Sequence, residues 1–414
     1  MRWMLAALAL GLTGAEARGA DEWIDRLDDA LTVSSRDGGV RARLSGTMEI
    51  DGYAWQPPVP GLIYGEGDTL VAPRLTLFLD VQAGERVYAF IQARADDGFD
   101  PGDDGKRMRL DEYAVRAELA DHGALNLQVG KFATAFGNWV QRHYAWDDPF
   151  VTAPLPYDNP TGIFDAVAAP SIDSLLRWSG ARPSGQPAAD FFHEYQVPVI
   201  WGPSYASGLS VSGVVDRFEY AAEIKNGSLS SRPESWDVSQ RQWQDPTLTA
   251  RIAYRPNPAW TVGFSASSGT YLLPSAAPGI APGYSLPDYR ETVFGQDLSY
   301  AWHHFQFFAE AMEARFAIPT IGDATTTAYY LEAKYKFAPQ FFAAVRWNQQ
   351  FFGRLPDPPD GDVKWGRDVW RIDLAPTIRL TPHLQLKLQY SLLHNGSLER
   401  ADSNLWALQG LLRF

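Results

Sequence analysis

From residue 42 onward the chain alternates apolar and polar positions in stretches of about ten residues. Ala42, Leu44, Met48 and Ile50 share one face of an extended strand, and Arg43, Ser45, Thr47, Glu49 and Asp51 the other. That two-residue period predicts a strand with one apolar side. It recurs in Leu75, Leu77, Leu79 and Val81 against Arg74, Thr76, Asp80 and Gln82, and in Leu125, Leu127 and Val129 against Asn126 and Gln128. Near the end, Leu384, Leu386, Leu388, Tyr390 and Leu392 oppose Gln385, Lys387, Gln389 and Ser391. One such strand suits any half-buried antiparallel sheet. Some sixteen in succession, starting near 42, 73, 87, 108, 125, 208, 218, 247, 260, 291, 305, 326, 341, 369, 384 and 404, predict an all-β fold, a closed antiparallel transmembrane β-barrel.

The connections sharpen that reading. Short ones (83–86, 120–123, 215–217, 256–259, 303–304, 338–340 and 381–383) alternate with long ones rich in Gly, Pro and Asp (52–72, 97–107, 227–246, 269–289 and 351–368). Short periplasmic turns opposite long extracellular loops are the pattern of outer-membrane barrels. Trp260, Trp302, Phe305, Phe337, Phe341, Trp347, Trp370, Trp406 and Phe414 sit near strand ends, as interfacial girdles require. One connection, 133–207, is far longer than the rest. Two further strands at 174–180 and 191–200 would raise the count to eighteen, the alternative to sixteen.

Composition excludes competing classes. No stretch reaches the roughly 18 apolar residues a membrane-spanning helix needs. There is no cysteine, so disulfides, thiolate metal sites and covalent haem are absent, and the net charge of −13 disfavours nucleic acid as a partner. Arg2, the apolar run 4–12 and Ala15-Glu16-Ala17 predict a signal peptide over 1–17. Residues 18–39 then form a short periplasmic segment. Trp23, Leu27 and Leu31, spaced by four, predict a helix with one apolar face over 21–31. The barrel occupies 40–414. No nucleophile or zinc-protease motif occurs, and His303-His304 reads as a solvated turn, so neither an enzyme nor a metal or cofactor site is expected.

Leu127-Gln128-Val129-Gly130-Lys131-Phe132, followed by Ala135-Phe136-Gly137, resembles the fifth-strand signature of bacterial porins, and most of all the phosphate-selective (O and P) porin family. Gly208-Leu209-Ser210-Val211-Ser212-Gly213 with Asn226-Gly227 is similar to that family's next hairpin. The resemblance implies an outer-membrane channel for small hydrophilic solutes, a trimer in a bilayer with lipopolysaccharide, and a loop after strand five that enters the lumen. Asp147, Asp148 and Asp158 are then the constriction carboxylates of the loop. Arg74, Arg116, Glu118, Lys131, Arg251, Glu310, Lys334, Arg346, Arg371, Arg379 and Lys387 are the charged pore lining on the inferred inner face. Acidic and basic residues on that face nearly cancel, so phosphate selectivity is not implied. The C-terminal Leu411-Leu412-Arg413-Phe414 resembles the ending that the barrel-assembly machinery reads, with Phe414 as the signal. The competing function is a barrel sheath around a periplasmic partner such as a multihaem cytochrome in an electron conduit.

Overall fold

In a computed structural model, the described residues are 23–24, 26–27, 30–56, 61–63, 67–96, 107–183, 196–237, 241–358, 361–396 and 402–414. The signal peptide expected at 1–17 and part of the N-terminal helix lie outside them. Residues 23–24, 26–27 and 30 are helical, as the spacing predicts. The apolar face differs: Trp23 is exposed and Ile24 is buried instead. A short strand, Thr32–Ser34, then pairs onto the start of the barrel, Val33 opposite Ala42.

Sixteen strands form the barrel. They are β1 (Val40–Trp55), β2 (Thr69–Ala83), β3 (Val87–Asp96), β4 (Arg107–Ala120), β5 (Leu125–Lys131), β6 (Ser207–Val215), β7 (Phe218–Lys225) and β8 (Thr247–Asn257). The second half comprises β9 (Trp260–Thr270), β10 (Arg290–Trp302), β11 (Phe305–Ile318), β12 (Gly322–Lys336), β13 (Phe341–Phe352), β14 (Val369–Arg379), β15 (Leu384–Asn395) and β16 (Asp402–Arg413). Each strand pairs antiparallel with the next. β16 returns to β1, with Leu408 opposite Gly52 and Gly410 opposite Ile50, so no sheet edge remains. The eighteen-strand alternative fails at 174–180, where Ile172–Trp178 is an α-helix. Ser171 caps it by accepting from the Ser174 N–H. The alternation that suggested a strand there is too short to outweigh that cap.

Turns at one end are tight. Trp302 faces Phe305 across His303-His304, with His303 at φ +51°. At the other end the loops are long, except 319–321 between β11 and β12. A register shift between Gln92 and Ala93 leaves Asp111 as an extra residue on β4. The bulge turns Asp111 and Glu112, neighbours in sequence, both into the barrel, where each is buried.

Outside, the wall divides by side-chain type. Around β7–β13 aromatic rings crowd the tight-turn end: Trp260 stacks on Tyr300 at 4.1 Å, Trp302 on Phe305 at 6.1 Å, and Phe305 meets Tyr335 at 4.4 Å. Across β1–β5 the outward positions are aliphatic, such as Met48, Ile50, Val71, Ile91 and Val129.

Candidate functional site

Inside, the barrel is filled by its own chain. Between β5 and β6, the described loop residues 132–183 and 196–206 fold into the lumen and pack against β9–β13. Tyr157, Ile163, Leu175, Val197 and Ile200 from this loop join Val293, Phe316 and Tyr330 from the wall in one buried cluster. Loop backbone groups find strand side chains as partners, which satisfies polar groups that burial would leave costly.

The entry into the loop depends on two glycines. At Gly130, φ is +143° and a Cβ would lie 2.1 Å from the Tyr113 carbonyl. At Gly137, φ is +71° and a Cβ would meet the Tyr157 hydroxyl at 2.6 Å and the Glu310 carboxylate at 2.8 Å. Only glycine fits either place. Glu310, read from sequence as pore lining, is instead the anchor of this turn. Its carboxylate accepts from the N–H groups of Asn138 and of Trp139 (2.6 Å) and from the Tyr157 hydroxyl (2.5 Å).

A second anchor lies on β13–β15. Asp158 pairs with Arg371 at 3.1 Å, and Arg371 with Asp373 at 3.0 Å. Arg346 pairs with Asp373 at 2.9 Å and donates to the Thr152 carbonyl at 2.7 Å. Burial pushes the Asp158 carboxyl up to about 6 against the pull of Arg371 and Arg346. Lys387 donates to the carbonyls of Ala145 and Asp148. Asp148 accepts from Trp139 Nε1 and from the Phe150 N–H, both at 2.9 Å. Arg142, which the sequence reading did not single out, bridges from the loop to Glu332 at 2.7 Å.

Thus Asp148, Asp158, Glu310, Arg346, Arg371 and Lys387 are buried contacts between loop and wall rather than an open lining. Lys131 and Arg251 are buried as well, paired with Asp237 at 2.8 Å and Asp297 at 2.7 Å. Glu118 accepts from the Gly123 N–H in a tight turn. Alternation turns these side chains inward, but it cannot show that the loop packs over them.

What remains open is a cavity of about 720 Å³ between the loop and the β1–β4 wall. Arg74, Arg116 and Asp147 line it, with Arg94, Tyr144 and Arg413. Arg74 lies 3.3 Å from both Glu49 and Asp96, and Arg94 2.9 Å from Asp111. At the tight-turn end, Arg413 and Arg379 approach the Trp146 ring at 3.9 and 5.0 Å, and Lys334 lies over Phe342 at 4.3 Å. His143, also on the cavity wall, faces the Val140 carbonyl through Nδ1 and the Tyr205 hydroxyl through Nε2. Burial, reinforced by Arg94, lowers its imidazole to about 4.

No protein-family model and no curated sequence matches the chain. Solved structures do. OmpT, an outer membrane protein of Vibrio cholerae, aligns over 92% of this chain and 99% of its own, with TM-score 0.54 and 9% identity. The anion-selective porin from Comamonas acidovorans aligns over 91% and 100%, with TM-score 0.54 and 12% identity. Salmonella typhi OmpF, in complex with daunomycin, aligns over 92% and 100%, with TM-score 0.55 and 11% identity. At these identities the likeness is one of fold and says nothing finer about the phosphate-selective family. The fold is the sixteen-stranded antiparallel barrel of outer-membrane porins.

Proposed function

We propose that the chain is an outer-membrane channel through which small hydrophilic solutes diffuse between the β1–β4 wall and the inward-folded loop. The observation that carries this reading is the division of the lumen. One side is a packed apolar core, and the other is a cavity of about 720 Å³ lined by charged side chains and aromatic rings. Ions and small solutes suit such a space, since charge in a narrow passage governs entry. The inward-folded loop favours this reading over a sheath around a multihaem cytochrome, which calls for a wider lumen. On this reading Asp147 is the loop carboxylate that solutes meet, and Asp148 and Asp158 hold the loop in place.

The aliphatic outer face of β1–β5 supports self-association, as a trimer in the notation of porin barrels. A lipid-facing belt calls for Trp and Tyr at the interface, and this sector presents few. The tight-turn end faces the periplasm, and Phe414 closes the barrel there as the mark for the assembly machinery. Purified full-length protein in a planar bilayer should give discrete conductance steps in potassium chloride. A preparation that is folded by circular dichroism yet gives no steps refutes the channel.

A further inference from the structure

The β2–β3 wall of the cavity carries an unusual inner surface. Tyr88 and Phe90 stack at 5.8 Å, and Phe78 lies diagonally beside Phe90, because Asp80 pairs with Phe90. Tyr144 of the loop meets Phe78 edge-on at 5.5 Å. These rings are only partly covered, so each offers a face or edge to the cavity. At the same end, besides Arg379 at 5.0 Å from Trp146, stand two further guanidinium groups. Arg116 sits 5.7 Å from the Tyr88 ring centre and donates to Gln128, and Arg413 sits against Trp146 and donates to the Pro382 carbonyl.

Cations outnumber carboxylates at this end: Arg43, Arg116, Arg379, Arg413 and Lys334 stand against Asp80, Glu112 and Asp147. Among the described residues, neither Arg116 nor Arg413 has a carboxylate within ion-pair distance. Two of these carboxylates keep their charge but are held by neutral donors: Asp80 accepts from the Tyr88 hydroxyl, and Glu112 from the Ala133 N–H and the Tyr144 hydroxyl, both at 2.8 Å. Asp147 is the exposed one. Beyond the rings, Arg94 and Arg74 continue along the same wall, since Thr76 pairs with Arg94. The overall balance of acidic and basic side chains conceals this local excess of cation beside aromatic surface.

We propose that the passage favours planar aromatic carboxylates, aryl acids of benzoate's class. The ring slides along Tyr88, Phe90 and Phe78, while the carboxylate moves from Arg413 and Arg116 toward Arg94 and Arg74. This rests on the channel reading above and names its substrate class. Aromatic rings attract one another in offset or edge-on contact beyond the area they bury, and guanidinium groups bind carboxylates through paired hydrogen bonds. A saturated ring of equal charge gains only the second attraction. A neutral sugar lacks the charge, and an aromatic cation meets repulsion at Arg116 and Arg413.

The test uses the full-length protein in planar bilayers, with reversal potentials measured under benzoate, cyclohexanecarboxylate and benzylammonium gradients. Benzoate should permeate about fivefold better than cyclohexanecarboxylate, and better still than benzylammonium. In the Tyr88→Leu/Phe90→Leu double variant the benzoate to cyclohexanecarboxylate ratio should fall toward one. Arg413→Gln should narrow the gap between benzoate and benzylammonium. A wild-type ratio at or below one overturns the proposal even if the variants fail to assemble. So does faster entry of glucose than of benzoate into loaded liposomes. Absence of any potassium chloride steps refutes the channel itself, an outcome distinct from a channel indifferent to the ring.

Discussion

Acid should loosen the internal loop, and His143 sets the magnitude. The Val140 carbonyl can only accept, so Nδ1 carries the proton and Nε2 accepts from the Tyr205 hydroxyl. The ring also lies tilted against Tyr144 at 4.1 Å and 6.0 Å from Trp139. The charged groups around it are Arg94 from β3, Asp111 from β4 and Asp148 from the loop. Burial and Arg94 oppose a charged imidazole, and the two aspartates only partly offset them. With the loop docked, the imidazole titrates at about 4, against 6.5 for an undocked, solvated histidine. A group whose folded value is depressed below the free one loses its stabilising contribution as pH falls. Here the loss begins near 6.5 and is complete below 4. The difference corresponds to about 3 kcal/mol at most, nearer 2 because the ring is half-buried, or roughly thirtyfold in the opening equilibrium. Amide hydrogen exchange of residues 139–146 in detergent, corrected for intrinsic rates, reads that equilibrium directly. Protonation of Asp158, raised to about 6 in the docked loop, tightens it over the same range, so the His143 contribution is read as a difference: opening should rise more between pH 6.5 and 4 in the wild type than in His143→Gln. The same pH dependence in both proteins would refute the reasoning.

Other perturbations address the remaining elements. Leu388 faces outward near the middle of β15, and arginine there should cost roughly 2–4 kcal/mol if it lies near the bilayer midplane; unchanged denaturation in detergent argues that this face does not meet lipid. Phe414 exchanges two backbone hydrogen bonds with Gly46, at 2.9 and 3.0 Å, so its deletion should lower the amount of assembled barrel, and wild-type surface levels count against it. Asp158→Ala removes one partner of a buried pair, but Arg371 keeps Asp373 and the Ala153 carbonyl. The expected cost is therefore about 2 kcal/mol, below the range for an isolated buried charge, and is measured by urea denaturation. Asp147→Asn should move the reversal potential toward anions, and that shift should shrink at 1 M salt, where the screening length is about 3 Å.

The strands were legible in the sequence because a barrel wall obeys a local rule. Each residue's partner face is either lipid or lumen, so period-two alternation reports it without tertiary information. All sixteen strands start within about four residues of where the alternation begins. The loop obeys no such rule. Its apolar residues, Phe136, Tyr157, Leu175 and Val199 among them, follow no fixed spacing, because they meet strands distant in sequence. Glu310 illustrates the limit. Alternation correctly turns it inward, yet its partners lie at 138, 139 and 157, and nothing local to β11 announces them. The bulge at Asp111 was hidden for a similar reason, since one extra residue breaks the count without any glycine or proline to mark it.

The packed loop also changes what inward charge means. A balanced set of acids and bases spread around an open tube leaves little net field. Once the loop covers β9–β13, the pairs on that side, such as Arg251 with Asp297 and Arg142 with Glu332, are sealed away from any solute. The same burial makes each pair costly to break from one side and removes it from selectivity. Field in the remaining cavity then depends on a handful of side chains on β1–β4, on β16 and on the loop tip. There, Glu49 and Asp96 already hold Arg74, and Asp111 holds Arg94. Local excess therefore falls to Arg43, Arg116, Arg379, Arg413 and Lys334 against Asp80, Glu112 and Asp147, and single substitutions among these should matter more than any change in total lumen charge.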